Sequence, residues 1–368
     1  MVEANNGSML TVEKMVEYLS GAYISLIKGN IPLKKFPSVM LWGPPGVGKS
    51  QGVREISERI ERETGKRVDI TDVRLLLFNP VDLRGIPTAN ADKTLAVWLK
   101  PKIFQMDERE EVVNILFLDE ISAAPPSVQA AAYQITLDRI IGEHRLPENC
   151  IVIAAGNRVT DKSVAYAMPR ALANRLCHLE IYSDFNSWHD WALDANIHES
   201  VIGFLDFKPE YLMCKNISKT SNSFATPRSW EMVSNVLRYV SEDMSKVFPI
   251  IVGCVGDEAA NSFAVWYNVF QNVPPVDKIF AGTHTIVPQL PNIIFALTTR
   301  IVWYARDHHE AQEIDNALKY VSKLSVEFRN KVFFDLLKIR EVRPALKENA
   351  MFCEWFQKTN KKWEYYPC

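Results

Sequence analysis

Cysteine is sparse and unpatterned in this sequence. The six residues Cys150, Cys177, Cys214, Cys254, Cys353 and Cys368 include no CxxC pair. The seven histidines form no HExxH, and the one adjacent pair, His308-His309, lies in a helical stretch as ordinary surface. A structural zinc site and a disulfide framework are therefore not expected, and scattered thiols suit the reducing cytoplasm. Charge of one sign is also lacking. Forty-two Lys and Arg stand against 44 Asp and Glu, a net charge of −2, which gives no overall attraction to nucleic acid or an anionic membrane. The basic residues come in short groups (Lys34-Lys35, Lys66-Arg67, Lys361-Lys362) that read as solvated charge. The opening MVEANNGSML lacks the basic and apolar blocks of a signal peptide. The longest uncharged run, from Ile279 to Thr299, is broken by Pro288, Gln289, Pro291 and Asn292 and is too interrupted for a membrane span. No internal repeat or low-complexity tract is present.

What the sequence does have is 47% apolar residues over 368 positions, enough for two or three packed domains. Apolar periodicity (Val12, Met15, Val16, Leu19, Tyr23) predicts a helix over Thr11–Lys28. Five strand-like runs follow: Val39–Trp42, Val68–Val73, Val112–Leu118, Cys150–Ala155 and His178–Tyr182. A helix over Lys49–Thr64, stopped by Gly65, is expected to pair Glu55 with Arg59 and Glu58 with Arg62. Near-continuous apolar strands alternating with helices indicate a parallel sheet covered on both faces. Beyond Ser183 helical periodicity takes over. Thr226-Pro227 reads as an N-cap with proline at N1, opening a helix to about Ser241, and Asp257–Gln271 is another. Prolines 274, 275, 288 and 291 mark a further change. The expected division is 1–183, an N-terminal helix plus an α/β core; 184–275, an all-α lid; and 276–368, a helical extension.

Three segments carry chemistry. Gly43-Pro44-Pro45-Gly46-Val47-Gly48-Lys49-Ser50 fits G-x-x-x-x-G-K-[ST] between a strand and a helix, so the glycine-rich turn can aim backbone N–H groups and a helix N-terminus at phosphate oxygens. Lys49 is expected to reach the β- and γ-phosphates, the Ser50 hydroxyl to bind Mg²⁺, and Gln51 to complete the nucleotide-binding set. Ile115-Leu116-Phe117-Leu118-Asp119-Glu120 is an apolar strand ending in two carboxylates. After a P-loop this reads as Walker B, with Asp119 holding Mg²⁺ through its water shell and Glu120 deprotonating the attacking water. Ala154-Ala155-Gly156-Asn157 ends the next strand and brings Asn157 beside Glu120 as a neutral group to hold that water. No Asn-Lys-x-Asp segment is present, which favours ATP over GTP.

GPPGVGKS, the terminal Asp-Glu and AAGN together resemble AAA+ ATPases, and further details resemble the MoxR-like group, related to the AAA_5 family. Asn79-Pro80-Val81-Asp82-Leu83-Arg84-Gly85-Ile86-Pro87, with Trp98 and Pro101, resembles that group's insertion in helix 2. DRIIGEHRLPEN, turning near Ile141-Gly142, resembles the hairpin before sensor 1. The segment from Met168 to Leu176 resembles the one carrying the arginine finger, with Arg175 the better match and Arg170 the second. Thr226-Pro227-Arg228-Ser229-Trp230 resembles sensor 2, with Arg228 the functional residue. The resemblance covers about 36–270; the extension after 276 matches nothing comparable. It implies a P-loop AAA+ core with an all-α lid, an ATP·Mg²⁺ cofactor, a homo-oligomeric ring (most often a hexamer) with a finger supplied by the neighbouring subunit, and a remodelled protein client, often a von Willebrand factor A domain protein. A nucleic-acid motor or defence component and a slow nucleotide-gated scaffold stand as alternatives. The insert around Asp82–Trp98 and the hairpin around Arg139–Leu146 are expected to face the ring's central channel or one ring surface, with Ile141 and His144 needed for partner-stimulated activity.

Overall fold

The computed structural model describes residues 9–158, 166, 168, 173–174, 176–214, 223–359, 362–363 and 366. The chain divides into two compact units, Met1–Ser187 and Trp188–Cys368.

The first unit is built on a six-stranded, all-parallel sheet: β1 (Met9–Leu10), β2 (Val39–Trp42), β3 (Arg67–Arg74), β6 (Val112–Asp119), β9 (Cys150–Gly156) and β10 (Cys177–Ile181). Its order is β1-β10-β2-β9-β6-β3. Because side chains alternate across a strand, the unbroken apolar run of β6 feeds two cores at once. Ile115 and Phe117 join Leu41, Ile151 and Ile153 under α1 (Val12–Lys28) and α2 (Lys49–Thr64). Leu116 and Leu118 join Met40, Val152 and Ala154 under α4 (Pro126–Asp138). The Thr11 hydroxyl caps α1 by accepting from Lys14 N at 3.3 Å, and Gly65, at φ +70°, ends α2 with its N–H on the Glu61 carbonyl. Neither expected ion pair on α2 forms: Glu58 and Arg62 make no salt bridge among the described residues, and Arg59 pairs with Glu63, at 3.2 Å, rather than with Glu55. Both partners lie one turn away, and Glu55 instead takes the Gln51 amide at 3.5 Å.

Two additions interrupt this core. One comprises α3 (Pro80–Arg84) and an antiparallel hairpin of β4 (Ile86–Ala89) with β5 (Ala96–Leu99). The other is the hairpin of β7 (Ile140–Ile141) with β8 (His144–Arg145). They pack on each other. His144 Nε2 lies 2.9 Å from the Trp98 carbonyl. A Cβ on Gly142, at φ +57°, would sit 2.4 Å from the Arg84 carbonyl, so only glycine fits there. Ile141 corrects the expectation of a partner contact: it is 1% exposed, buried in the core that also holds α4.

Every regular element among the second unit's described residues is helical. It holds all but the first residues of α5 (Phe185–Asp194), then α6 (Glu199–Phe207), α7 (Pro227–Tyr239), α8 (Met244–Val255) and α9 (Asp257–Gln271), followed by α10 (Val276–Phe280), α11 (Pro291–Tyr304), α12 (Ala311–Val321), α13 (Val326–Lys338), α14 (Arg343–Glu348) and α15 (Ala350–Gln357). Thr226 and Ser229 form a reciprocal capping box at α7, with Pro227 at N1. Trp230, fully buried, packs against Phe204 and Phe263, with centroids 5.3 and 5.6 Å away. From α10 onward, Leu297, Ile301, Leu318, Val332, Phe333 and Phe352 share another core. Among the described residues no helix is long and apolar enough to cross a membrane.

A buried ionic network ties α5 and α6 to α13. Asp206 receives Lys331 Nζ at 2.8 Å and faces His189 Nε2 at 3.4 Å. Lys331 also reaches Asp335 at 2.7 Å, and Lys338 bonds Asp190. Burial by itself lowers the pKa of His189, but Asp206, then Asp190 and Asp335, outweigh it and lift the value to about 9. A folded-state pKa raised above the ordinary 6.5 stabilises fully below that value and loses its effect as pH climbs through about 9. Thermal unfolding followed from pH 6.5 to 9.5 should show a falling melting temperature, and His189→Gln should flatten that fall. An unchanged slope in the variant would remove His189 as its source.

Candidate nucleotide site

Parallel strands leave their C-terminal ends on one edge of the sheet, and the strand order decides which ends meet. Trp42 of β2 is in register with Gly156 of β9, and Ala154 of β9 with Leu118 of β6. Gly43, Asp119 and Asn157, each following or ending one of these strands, therefore converge. The turn from β2 into α2 needs left-handed backbone at Gly46 (φ +77°) and Gly48 (φ +105°), which a side chain would resist.

Lys49 opens α2 with its side chain folded back over the loop. It is 8% exposed, and its Nζ donates to Gly43 O at 2.6 Å, Pro44 O at 3.1 Å and Asn157 Oδ1 at 3.1 Å. One residue on, Ser50 Oγ donates to Asp119 Oδ2 at 3.0 Å. The other Asp119 oxygen accepts the Glu120 N–H at 2.8 Å. Glu120 adopts φ +58°, left-handed backbone in a residue with a Cβ, which costs roughly 1–3 kcal/mol. Its neighbours hold it there: Ile121 N donates to Ala155 O at 2.9 Å and Ala123 N to Glu120 O at 3.0 Å.

Two residues join this group that the motifs did not indicate. Ser122, buried, accepts the Asn157 N–H on its Oγ at 2.9 Å and so fixes the strand-end asparagine. A serine after an Asp-Glu pair carries no sequence signal for this. Asp72 on β3 has its pKa raised, first by burial and then by repulsion from Asp119. Asp72 is one of two acids in β3, with Asp69, and nothing in the sequence singled it out.

The structure thus brings together Gly43–Ser50, Asp119, Glu120 and Asn157. Gln51 lies exposed on the first turn of α2. Arg170 and Arg175 lie outside the described residues. Arg228 is exposed on the first turn of α7, in the second unit.

Residues 38–178 match the family described as ATPase family associated with various cellular activities (AAA). This segment is an AAA ATPase domain of the MoxR-like group. The P-loop parallel sheet followed by helical regions is the AAA+ core and α-helical remainder expected of it. None of the curated proteins matches the sequence. Among solved structures the chain is similar to PCH-2 of C. elegans (12% identity over 70% of this chain and 68% of that one, TM-score 0.35). It is also similar to a RuvB mutant of Thermotoga maritima (14%, 79% and 83%, 0.35) and to NtrX of Brucella abortus in complex with ATP (11%, 93% and 65%, 0.34).

Removing the Ser122 hydroxyl leaves the Asn157 N–H without its acceptor. Ser122→Ala should lower the free energy of unfolding by about 1–2 kcal/mol, read as a reduced urea midpoint at unchanged m-value. A midpoint equal to that of the parent would show that the bond contributes nothing.

Proposed function

We propose that the chain is a Mg²⁺-dependent ATPase that works in a ring and uses turnover to remodel a partner protein. The observation that carries the first part is the Lys49 ammonium, held between two P-loop carbonyls and Asn157 Oδ1, beside the Ser50–Asp119 pair. Phosphate oxygens are stronger acceptors for that ammonium than neutral carbonyls, because the bond becomes charge-assisted on both sides. Gly46 and Gly48 turn the loop so that backbone N–H groups can face an anion.

The donor set fits a magnesium ion. Ser50 Oγ would bind it directly and Asp119 through its water shell; the pKa of Asp72 is raised first by burial and then by Asp119, and a cation would relieve the second of these. When bound, the ion neutralises charge on the phosphates. Glu120 would take the proton of the attacking water, and Asn157, fixed by Ser122, would hold that water. Arg228 would serve as the lid's phosphate sensor. Arg175, or Arg170, would complete the site of the neighbouring subunit, which makes a ring, hexameric in most AAA+ proteins, a requirement for turnover.

A partner protein is supported by the insert. Leu76, Leu77, Val81, Ile86, Leu95, Val97, Leu99 and Ile103 are all exposed within 28 positions, and such a concentration marks an interaction surface. Ile86 and Leu99 stand opposite each other on the β4–β5 hairpin. The net charge of −2 gives no comparable argument for nucleic acid. The cysteines that the structure describes are unpaired thiols, in keeping with a cytoplasmic location. We take the 184–275 and 276–368 segments as lid and extension of the same motor. A von Willebrand factor A domain protein is one client to try among several.

Two experiments test this reading. Lys49→Ala should weaken ATP binding about 10- to 100-fold, the worth of a charge-assisted hydrogen bond. Glu120→Gln should keep binding while turnover drops roughly 10²–10⁴-fold; hydrolysis at the parent rate by Glu120→Gln would end the assignment. Ile86→Ser with Leu99→Ser should lower the ratio of partner-stimulated to basal ATPase. Stimulation by cell-extract protein undiminished in that double variant would take the insert out of client contact.

A further inference from the structure

Leu75, Leu83 and Phe104 anchor the insert, all three buried in the core that also holds α4. Two glycines close the rest of it down. A Cβ on Gly85, at φ +93°, would lie 2.0 Å from the Leu99 carbonyl, and one on Gly142 would lie 2.4 Å from the Arg84 carbonyl, so at each position one backbone packs directly on another. The insert is thus held in place without help from its exposed aliphatic side chains.

The β4–β5 ribbon presents two unlike faces. Pro87 and Trp98 pair across the strands on the side of the β7–β8 hairpin, where a Cβ on Gly142 would lie 3.8 Å from Trp98 Cβ. Side chains alternate along a strand, so Ile86, Thr88, Val97 and Leu99 share the other face. Ile86 is 62% exposed there and Leu99 57%. Pro87 has no N–H to give and the Trp98 carbonyl is engaged by His144, so the ribbon is poorly equipped to accept a further strand. What it offers is a side-chain surface.

Charge in the insert is uneven. From residue 74 to residue 104, Arg74, Arg84, Lys93, Lys100 and Lys102 stand against Asp82 and Asp92, in a chain whose net charge is −2. Each of the five lies one or two positions from an exposed aliphatic residue, and none forms a salt bridge among the described residues. Asp82 is occupied, accepting the Asn79 N–H at 2.8 Å at the start of α3. None of the segment's aromatic residues, Phe78, Trp98 and Phe104, is exposed. The surface therefore has no ring on which bases could stack and no interfacial tryptophan or tyrosine for a bilayer.

We propose that this surface binds a segment of the client protein in which aliphatic side chains are interspersed with carboxylates. The proposal rests on the reading above that the insert contacts the client. Aliphatic side chains of the segment bury against Ile86, Val97 and Leu99, and its carboxylates meet the surrounding lysines and arginines. Burial supplies the affinity, while charge selects the partner and speeds the encounter.

The test uses the full chain, a slowly hydrolysed ATP analogue and three fluorescein-labelled synthetic peptides of equal length: leucine with glutamate, leucine with lysine, and serine with glutamate. Fluorescence anisotropy should show the leucine–glutamate peptide binding at least tenfold tighter than the other two, and more weakly as salt is added. Lys93→Glu with Lys102→Glu should weaken that peptide about tenfold, since two surface attractions become repulsions, and should tighten the leucine–lysine peptide at unchanged basal ATPase. A misfolded variant cannot imitate that exchange of preference. Ile86→Ser with Leu99→Ser should weaken both leucine peptides. Equal affinity for all three peptides, binding of none, or tighter binding to single-stranded DNA or to anionic lipid vesicles overturns the proposal. So does an assembled mass that drops in the double serine variant, which would give the face to a second copy of the chain. If that variant loses stimulation by cell-extract protein while the peptides do not discriminate, client contact through the insert stands and the acidic, aliphatic chemistry falls. Undiminished stimulation in the same variant removes the client reading, and this proposal with it.

Discussion

A lysine ammonium taken out of water must be given acceptors, and those around Lys49 include two loop carbonyls and the Asn157 side chain. Much of the first unit follows from that requirement. The loop must curl far enough to turn its carbonyls inward, which sets glycines at left-handed positions. Asn157 must arrive beside the loop, which sets β9 next to β2 in the sheet. Asp119 must reach the residue after Lys49, which sets β6 next to β9.

The central strands could be read almost to the residue because each is an unbroken apolar run, and only a strand buried on both faces tolerates one. Walker A could be read because its glycines and lysine fall within one short contiguous segment, Gly43–Ser50. β1 could not: two residues are too few for any period, and Met9 and Leu10 form a strand only because β10 offers a free edge. Ser122 was illegible for a different reason. Its role depends on the loop after β6 meeting the end of β9, a contact set by strand order rather than local sequence. Ile141 was misread because a hairpin was equated with exposure, whereas α4 and the insert cover this one from two sides. On α2, spacing defined the set of possible ion pairs and rotamer choice decided among them.

In the second unit the aromatic cluster around Trp230 and Phe204 and the core beyond α10 were foreseeable as helical periodicity. The ionic network was not, since His189, Asp206 and Lys331 lie far apart in sequence. Buried ion pairs of this kind contribute little net stability over an apolar replacement, yet removing one partner is expensive. They join α5 and α6 to α13, and residues before and after 276 lie in a single compact unit.

The left-handed backbone at Glu120 has a consequence for how this protein can change over time. Glycine alone would adopt φ +58° there without strain; any other replacement of Glu120 keeps a Cβ and the strain with it. Under the role proposed for this carboxylate, a side chain at position 120 is held at a cost in folding stability that only selection for activity offsets.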